Sequence, residues 1–118
     1  MKTILIIDDE VMIREIIAIH VREMMIRPIV AESGIEALEI VKTETPEIVF
    51  VDLTLPMGLS GVDLVGPLKK ILPDSIFIAM SGYSDHDVML NPQAYGFHNR
   101  LLKPFSRQEL KNIIYQSI

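Results

Sequence analysis

The stretch TILIIDD, residues 3–9, is a short apolar run typical of a buried strand, and it ends directly in two carboxylates, Asp8 and Asp9. Two other strand-like runs also lead into a charged residue, one into Asp52 and the other into Lys103. The carboxyl ends of parallel strands meet at one edge of a sheet, where open α/β sheets bind ligands. We therefore expect these four side chains to lie together.

Three carboxylates at that edge would repel one another by roughly 4 kcal/mol per close pair at an effective dielectric constant of 20. A hard divalent cation is the usual compensation, so the pattern predicts a site for such an ion. Structural interpretations also exist. Asp8 and Asp9 could cap the following helix, and Asp52 could begin a turn. Lys103 could extend from its strand end into solvent, but the four residues together favour the metal site.

Composition narrows the class of protein. The 118 residues are 49% hydrophobic, which suits one domain over residues 1–118 with a single core. The longest apolar runs are too short to cross a bilayer, the N-terminus does not resemble a signal peptide, and there are no cysteines. We expect a cytoplasmic protein. A net charge of −5 with scattered basic residues argues against a nucleic-acid surface, which needs a clustered basic face.

Apolar strand-like runs alternate with helix-like stretches five times, which predicts an α/β fold of the (βα)5 type. Because these runs are apolar on both sides, the sheet should be parallel with helices on both faces. Ser33 with Glu36 has the pattern of a capping box, and Ser106 should cap the last helix. The predicted strands are residues 3–7, 28–31, 48–51, 76–80 and 99–102, and the predicted helices are residues 11–25, 34 to about 43, 62–72, 84–95 and 107 to about 116.

The fourth predicted helix contains Pro92. A proline there removes the hydrogen bond to Val88 and costs about 3 kcal/mol, and it also disfavours helical angles at Asn91. We expect the helix to break at Asn91, which would cap a short second turn with Pro92 at its first position.

Four motifs together carry a family resemblance: IIDDE at residues 6–10, VDLTLP at 51–56, MSG at 80–82 and LLKPF at 101–105. In this order they resemble the receiver domain of two-component response regulators, and the resemblance covers the whole chain. It implies a doubly wound, flavodoxin-like fold with strand order 2-1-3-4-5.

The resemblance also implies roles for the residues. Asp52 would accept a phosphoryl group from a phosphohistidine on a sensor histidine kinase or a histidine phosphotransfer protein. Asp9, Asp52 and the backbone carbonyl of Thr54 would hold Mg²⁺, or Mn²⁺ in its place. Mg²⁺ prefers oxygen ligands and keeps several waters. Asp8 would reach the ion through water.

Further implied roles concern the phosphorylated state. Lys103 would pair with a phosphoryl oxygen, Ser81 would donate a hydrogen bond to it, and the Lys103–Pro104 bond would be cis. Thr54 and Tyr83 would border the path of the attacking water. The output face would consist of the fourth helix, the fifth strand and the fifth helix, and it could also form a homodimer.

Two departures from the family pattern stand out. The loop PMGLSG, residues 56–61, is one residue longer than in most receivers and resembles a variant common in receivers of hybrid histidine kinases. Arg100 occupies the position of the usual aromatic switch residue, and an always-charged guanidinium cannot bury itself as an aromatic ring does. We expect Arg100 to stay at the surface, pairing with an acidic residue of a partner, while activation changes the order of residues 84–95.

Three other functions are alternatives to this one. A receiver could serve as a phosphate sink or relay without an output of its own. A phosphohydrolase working through an aspartyl-phosphate would generally offer a second Asp two residues after Asp52, where this chain has Thr54. A phosphorylation-independent interaction module would have lost an acidic residue or the lysine, and neither is lost. The three histidines, which lack metal-ligand spacing, are expected to be structural: His20, His86 and His98.

Overall fold

The computed structural model describes residues 2–55 and 58–118. Pro56 and Met57, which belong to the long loop noted above, lie outside the described residues. The strands are β1 Thr3–Ile7, β2 Arg27–Ala31, β3 Ile48–Asp52, β4 Ile76–Ser81 and β5 Asn99–Leu102. The helices are α1 Val11–Glu23, α2 Gly34–Ile40, α3 Gly61–Ile71, α4 Asp87–Leu90 and α5 Arg107–Ser117, with a 3-10 helix at Pro92–Tyr95.

The five strands form one parallel sheet in the order β2-β1-β3-β4-β5, which confirms the expected topology. Its register aligns the strand ends, with Ile7 opposite Val51, Asp52 opposite Met80, and Ser81 opposite Leu102. The residues that follow β1, β3, β4 and β5 therefore emerge at the same edge. Within the described residues, no helix is both long enough and apolar enough to span a membrane.

Alternate residues of a strand point to opposite faces of the sheet. In the central strands both sets of residues are buried, each in a different core cluster. In β1, Leu5 and Ile7 belong to a core cluster with α2, α3 and α4, whereas Ile4 and Ile6 belong to a second cluster with α1 and α5. The sheet is thus covered by helices on both faces, as predicted. This accounts for strands that read as continuous apolar runs.

Two predicted helix ends were wrong by a few residues. Helix α1 ends at Glu23 because Met25 adopts a left-handed conformation, with φ of 62°. The N–H of Met25 donates to the Arg22 carbonyl and that of Ile26 to the Val21 carbonyl, the pattern of a Schellman C-cap. Helix α2 ends at Ile40, and residues 41–43 continue only as turns.

Serine side chains cap α2, α3 and α5 at their first turns. The Ser33 hydroxyl accepts from the Glu36 N–H at 3.1 Å, as predicted, although no reciprocal bond from the Glu36 side chain is found in the described part of the chain. Ser60 caps α3 in the same way. Ser106 caps α5 as expected, and there both halves of a capping box are present with Glu109.

The predicted interruption at Asn91 is confirmed. Helix α4 stops at Leu90, and the 3-10 helix begins with Pro92. Two details differ from the prediction. Helix α4 starts at Asp87, since the Nδ1 of His86 accepts from the Val88 N–H at 3.1 Å and caps the helix there. Asn91 makes no side-chain capping bond to any described residue.

Candidate functional site

Three carboxylates converge at the carboxyl edge of the sheet. Asp8 and Asp9 follow β1, Asp52 ends β3, and one carboxylate oxygen of each lies within 4.8 Å of the others. The structure therefore brings together the acidic residues that the sequence pattern singled out. Such a set of oxygen ligands suits a hard divalent cation.

Asp52 is only 1% exposed. Its Oδ1 accepts hydrogen bonds from the Thr54 N–H and the Thr54 hydroxyl, each at 3.0 Å. Its Oδ2 is buried and has no hydrogen-bond partner within the described part of the chain. Leaving a buried carboxylate oxygen without a partner is costly, so this oxygen is the clearest sign that the site receives a cation or a reacting group.

Asp8 is fully buried, and both of its oxygens are engaged by the protein. Oδ1 accepts from the Glu10 N–H at 2.9 Å, and Oδ2 accepts from the ammonium of Lys103 at 2.6 Å. Asp9, in contrast, is exposed. This difference fits a metal bound directly by Asp9 and Asp52 and only indirectly by Asp8.

Burial, with a smaller contribution from neighbouring negative charge, raises the pKa values of two carboxyl groups in the cluster, Asp8 and Asp9. Burial raises the pKa of Asp8 to about 6, with a smaller contribution from the charge of Asp52, and the hydrogen bond from Lys103 only partly opposes this. Burial and the neighbouring Asp52 carboxylate also raise the pKa of Asp9. The cluster is therefore ionised at a free-energy cost that a cation would relieve.

Lys103 reaches into the cluster from the end of β5. Its Nζ lies 2.6 Å from Asp8 Oδ2, 3.6 Å from Asp52 Oδ2 and 3.7 Å from Glu10 Oε1, and its side chain is 12% exposed. Burial would lower the pKa of the ammonium, but the hydrogen bond to Asp8 and the surrounding carboxylates together raise it. Lys103 does not extend into solvent, and its peptide bond to Pro104 is cis.

Ser81 is the last residue of β4 and is fully buried. Its Oγ accepts from the Tyr83 N–H at 3.0 Å. That bond uses a lone pair, so the hydroxyl hydrogen stays available to a ligand. Tyr83 and Thr54 both lie just beyond the ends of their strands and are exposed. The additional bond from the Thr54 hydroxyl to Asp52 was not anticipated from the sequence.

Two further residues shape the site and were missed by sequence reasoning. Arg14, in the first turn of α1, donates from Nη1 to the backbone carbonyl of Asp8 at 2.9 Å. Gly61 packs so closely that an added Cβ would lie 2.2 Å from the carbonyl oxygen of Asp52. A glycine at the first position of α3, directly after the Ser60 cap, was the available signal for that close approach, whereas nothing in the sequence pairs Arg14 with Asp8.

Arg100 also differs from expectation. It is exposed, as predicted, but its Nη1 donates at 2.6 Å to the backbone carbonyl of Met89 in α4. The guanidinium thus pairs with a carbonyl of its own chain, and its pairing with a partner's carboxylate stays a prediction.

This fold and edge geometry define a class of signalling domain. The family model described as response regulator receiver domain matches residues 4–115, so the chain belongs to the response regulator receiver family. The chain is 28% identical to sporulation initiation phosphotransferase F of Bacillus subtilis, over 96% of this chain and 90% of that protein. It is 32% identical to the phosphate regulon transcriptional regulatory protein PhoB of Pseudomonas aeruginosa, over 92% of this chain, and spans about half (48%) of that longer protein.

Among solved structures, the chain is similar to the response regulator protein TrrA of Thermotoga maritima in complex with Mg²⁺ and BeF. The TM-score is 0.87 and the identity 29%, with both chains fully covered.

Proposed function

We propose that this chain accepts a phosphoryl group on Asp52 from a phosphohistidine of a sensor histidine kinase or a histidine phosphotransfer protein. The observation that carries the proposal is the buried Asp52 Oδ2, which has no hydrogen-bond partner among the described residues and lies 3.6 Å from the Lys103 ammonium. A carboxylate in this position is a nucleophile held ready beside a positive charge.

In the transfer, the bond between phosphorus and the donor's imidazole nitrogen breaks as a bond from Asp52 Oδ2 to phosphorus forms, and the imidazole leaves. The Thr54 N–H and hydroxyl hold the other Asp52 oxygen and so orient the carboxylate. Lys103 would neutralise a phosphoryl oxygen, and Ser81 would donate its free hydroxyl hydrogen. Most of the catalysis is positioning and charge stabilisation, as is general in phosphoryl transfer.

Mg²⁺ would supply charge neutralisation between the phosphoryl oxygens and the acidic cluster. Asp9, Asp52 and the backbone carbonyl of Thr54 would hold it, and Asp8 would act through water because its own oxygens are already engaged by Glu10 and Lys103. The donor set of three carboxylates fits this ion.

The proposal extends to signalling. Phosphorylation would alter the face built from α4, β5 and α5, in a cytoplasmic protein that could dimerise through the same face. A phosphate sink or relay shares the same Asp52 chemistry and differs only in output. No observation favours the phosphohydrolase alternative, because Thr54 donates to Asp52 where that class would offer an acid.

Intact-mass measurement after incubation with Mg²⁺ and a small-molecule phosphodonor tests the proposal. The wild type should gain one phosphoryl group in an acid-stable, base-labile linkage, and Asp52→Asn should gain none, because an amide is a poor nucleophile of nearly the same shape. Asp74→Asn, at an exposed position outside the cluster, is the matched control and should behave as wild type. Full modification of Asp52→Asn would disprove the assignment.

A further inference from the structure

Helix α4 is a single four-residue turn that cannot extend further. The Asn91 N–H donates to the Asp87 carbonyl at 3.0 Å, but the next residue, Pro92, has no N–H to donate to Val88. The last carbonyls of a helix need partners from outside it. A helix this short is also unstable by itself, so its order depends on groups supplied by the rest of the fold.

Arg100 supplies such a group. From the second position of β5 its guanidinium reaches across to the Met89 carbonyl at 2.6 Å. A charged donor makes a short, strong hydrogen bond, and a cation at the carboxyl end of a helix is favourable. The proline that cuts α4 short and the arginine at the usual aromatic position are therefore physically connected. Because α4 ends at Leu90, its last carbonyls need partners from outside the helix, and Arg100 binds one of them, that of Met89.

The bond also shapes the surface between the two elements. A cavity of about 250 Å³ is lined by Ser84, Met89, Leu90, Arg100 and Leu102. Leu90 is 65% exposed and Leu102 40% exposed, so the apolar rim of this cavity is open to solvent. The position of α4 relative to β5 sets its width, and the Arg100 bond joins the two.

We propose that Arg100 is a positioning residue that caps α4 from β5 and holds the α4–β5 surface in one arrangement, and that activation changes the order of residues 84–95 through this bond. The coupling to activation rests on the proposed phosphorylation of Asp52. A change at the phosphorylation site would have to pass along only a short segment to reach α4, because Ser81 lies only six residues before Asp87, the first residue of α4. The capping role itself does not depend on phosphorylation.

Amide hydrogen exchange of the unphosphorylated protein tests the capping role. Arg100→Met keeps the length and the apolar stem of the side chain but removes the donor and the charge. It should speed exchange in residues 88–95 about tenfold or more, the effect of losing a hydrogen bond from a charged group, without a matching change in β1. Arg100→Lys keeps a cationic donor and should restore much of the protection.

Arg107→Met is the matched control, since Arg107 is exposed and pairs through Nη2 with Glu23 at 3.0 Å, away from α4. It should leave exchange in residues 88–95 unchanged. Wild-type exchange there in Arg100→Met, or an equal acceleration in Arg107→Met, would overturn the capping role.

A second arm adds Mg²⁺ and beryllium fluoride as a phosphoryl mimic. The wild type should change its exchange in residues 84–95, and this change should shrink in Arg100→Met because the bond is already absent. A wild type that responds around Asp52 but not in residues 84–95 would overturn the coupling. No response at either place would count against the proposed function, while the first arm would still decide the capping role.

Discussion

The ammonium of Lys103 lies 2.6 Å from Oδ2 of Asp8, although the two residues are 95 positions apart in the chain. This pair joins the ends of β1 and β5, which are separated in the sheet by β3 and β4. It places the cluster's positive charge between Asp8 and Asp52. The acidic edge of the sheet is thus partly neutralised from within the described part of the chain, and one Asp52 oxygen still lacks a partner there.

Lys103→Met should destabilise the metal-free protein by about 3 kcal/mol, the low end of the cost of removing one partner from a buried ion pair. Urea unfolding above neutral pH, where the carboxylates are ionised, measures this. Lys42→Met removes an exposed pair, with Nζ 2.9 Å from Glu39, and should change the free energy of unfolding by less than about 1 kcal/mol. Equal effects in the two variants would contradict a special role for the Lys103 pair.

Mg²⁺ should raise the melting temperature, because it relieves repulsion in the folded state alone. The gain would be about 2.7 kcal/mol at 100 times the dissociation constant. Asp9→Ala should weaken Mg²⁺ binding in a calorimetric titration since it removes a direct ligand, whereas Asp74→Ala should not. A melting temperature that stays flat as Mg²⁺ is added would show that the carboxylates do not act together.

Gly61→Ala should destabilise the protein by about 1–3 kcal/mol, the usual cost of overpacking, and should slow phosphorylation. Its Cβ would lie 2.2 Å from the Asp52 carbonyl oxygen and 2.8 Å from the Leu53 Cα, so α3 or the end of β3 must move. For stability the control is Gly82→Ala, where a Cβ meets nothing within 4 Å. Thermal unfolding that fails to separate the two variants would argue against this close approach.

Met25→Gly should stabilise the protein by about 0.5–1 kcal/mol. The left-handed φ of 62° at Met25 is costly for a residue with a Cβ, and the gain exceeds the extra entropy of glycine in the unfolded chain. Met25→Ala keeps the Cβ and should show no such gain. Urea midpoints of the three proteins decide the matter, and a glycine variant no more stable than the alanine variant would refute the prediction.

His98 should make stability fall in mildly acidic solution. Its Nδ1 accepts from the Phe77 N–H at 3.0 Å, which requires an unprotonated Nδ1. Partial desolvation of this otherwise exposed side chain, together with the charge of Lys69, lowers its pKa. The folded state then binds fewer protons than the unfolded state as pH falls below about 6.5, so the stabilising contribution is lost in that direction.

The measurement is the difference in unfolding free energy between wild type and His98→Asn as a function of pH. Asp8 changes the free energy of unfolding in the opposite direction. Because its pKa is raised to about 6 in the folded state, its stabilising contribution is lost as pH rises. That contribution is common to both proteins and cancels in the difference. A difference that does not vary with pH would exclude the role of His98.

Sequence reasoning located the elements well but not their ends. The break at Asn91 was predictable because a proline acts on its own neighbours. The end of α1 was not, because Met25 carries no glycine-like signal and its left-handed φ depends on how the chain enters β2. Likewise, the partners of Arg14 and Arg100 are backbone carbonyls, which any residue offers, so no residue type in the sequence identifies them.

The sequence alone determined that parallel strands end in three carboxylates and a lysine at one edge, because apolar runs of strand length set both the sheet and the residues that leave it. Only the tertiary structure decided which of those groups pair with one another and which remain available to a ligand. Packing placed Lys103 against Asp8, left Asp52 Oδ2 buried, and brought Arg100 to the end of α4. These are distances between residues far apart in the chain, and they follow from the register of the sheet and the docking of its helices.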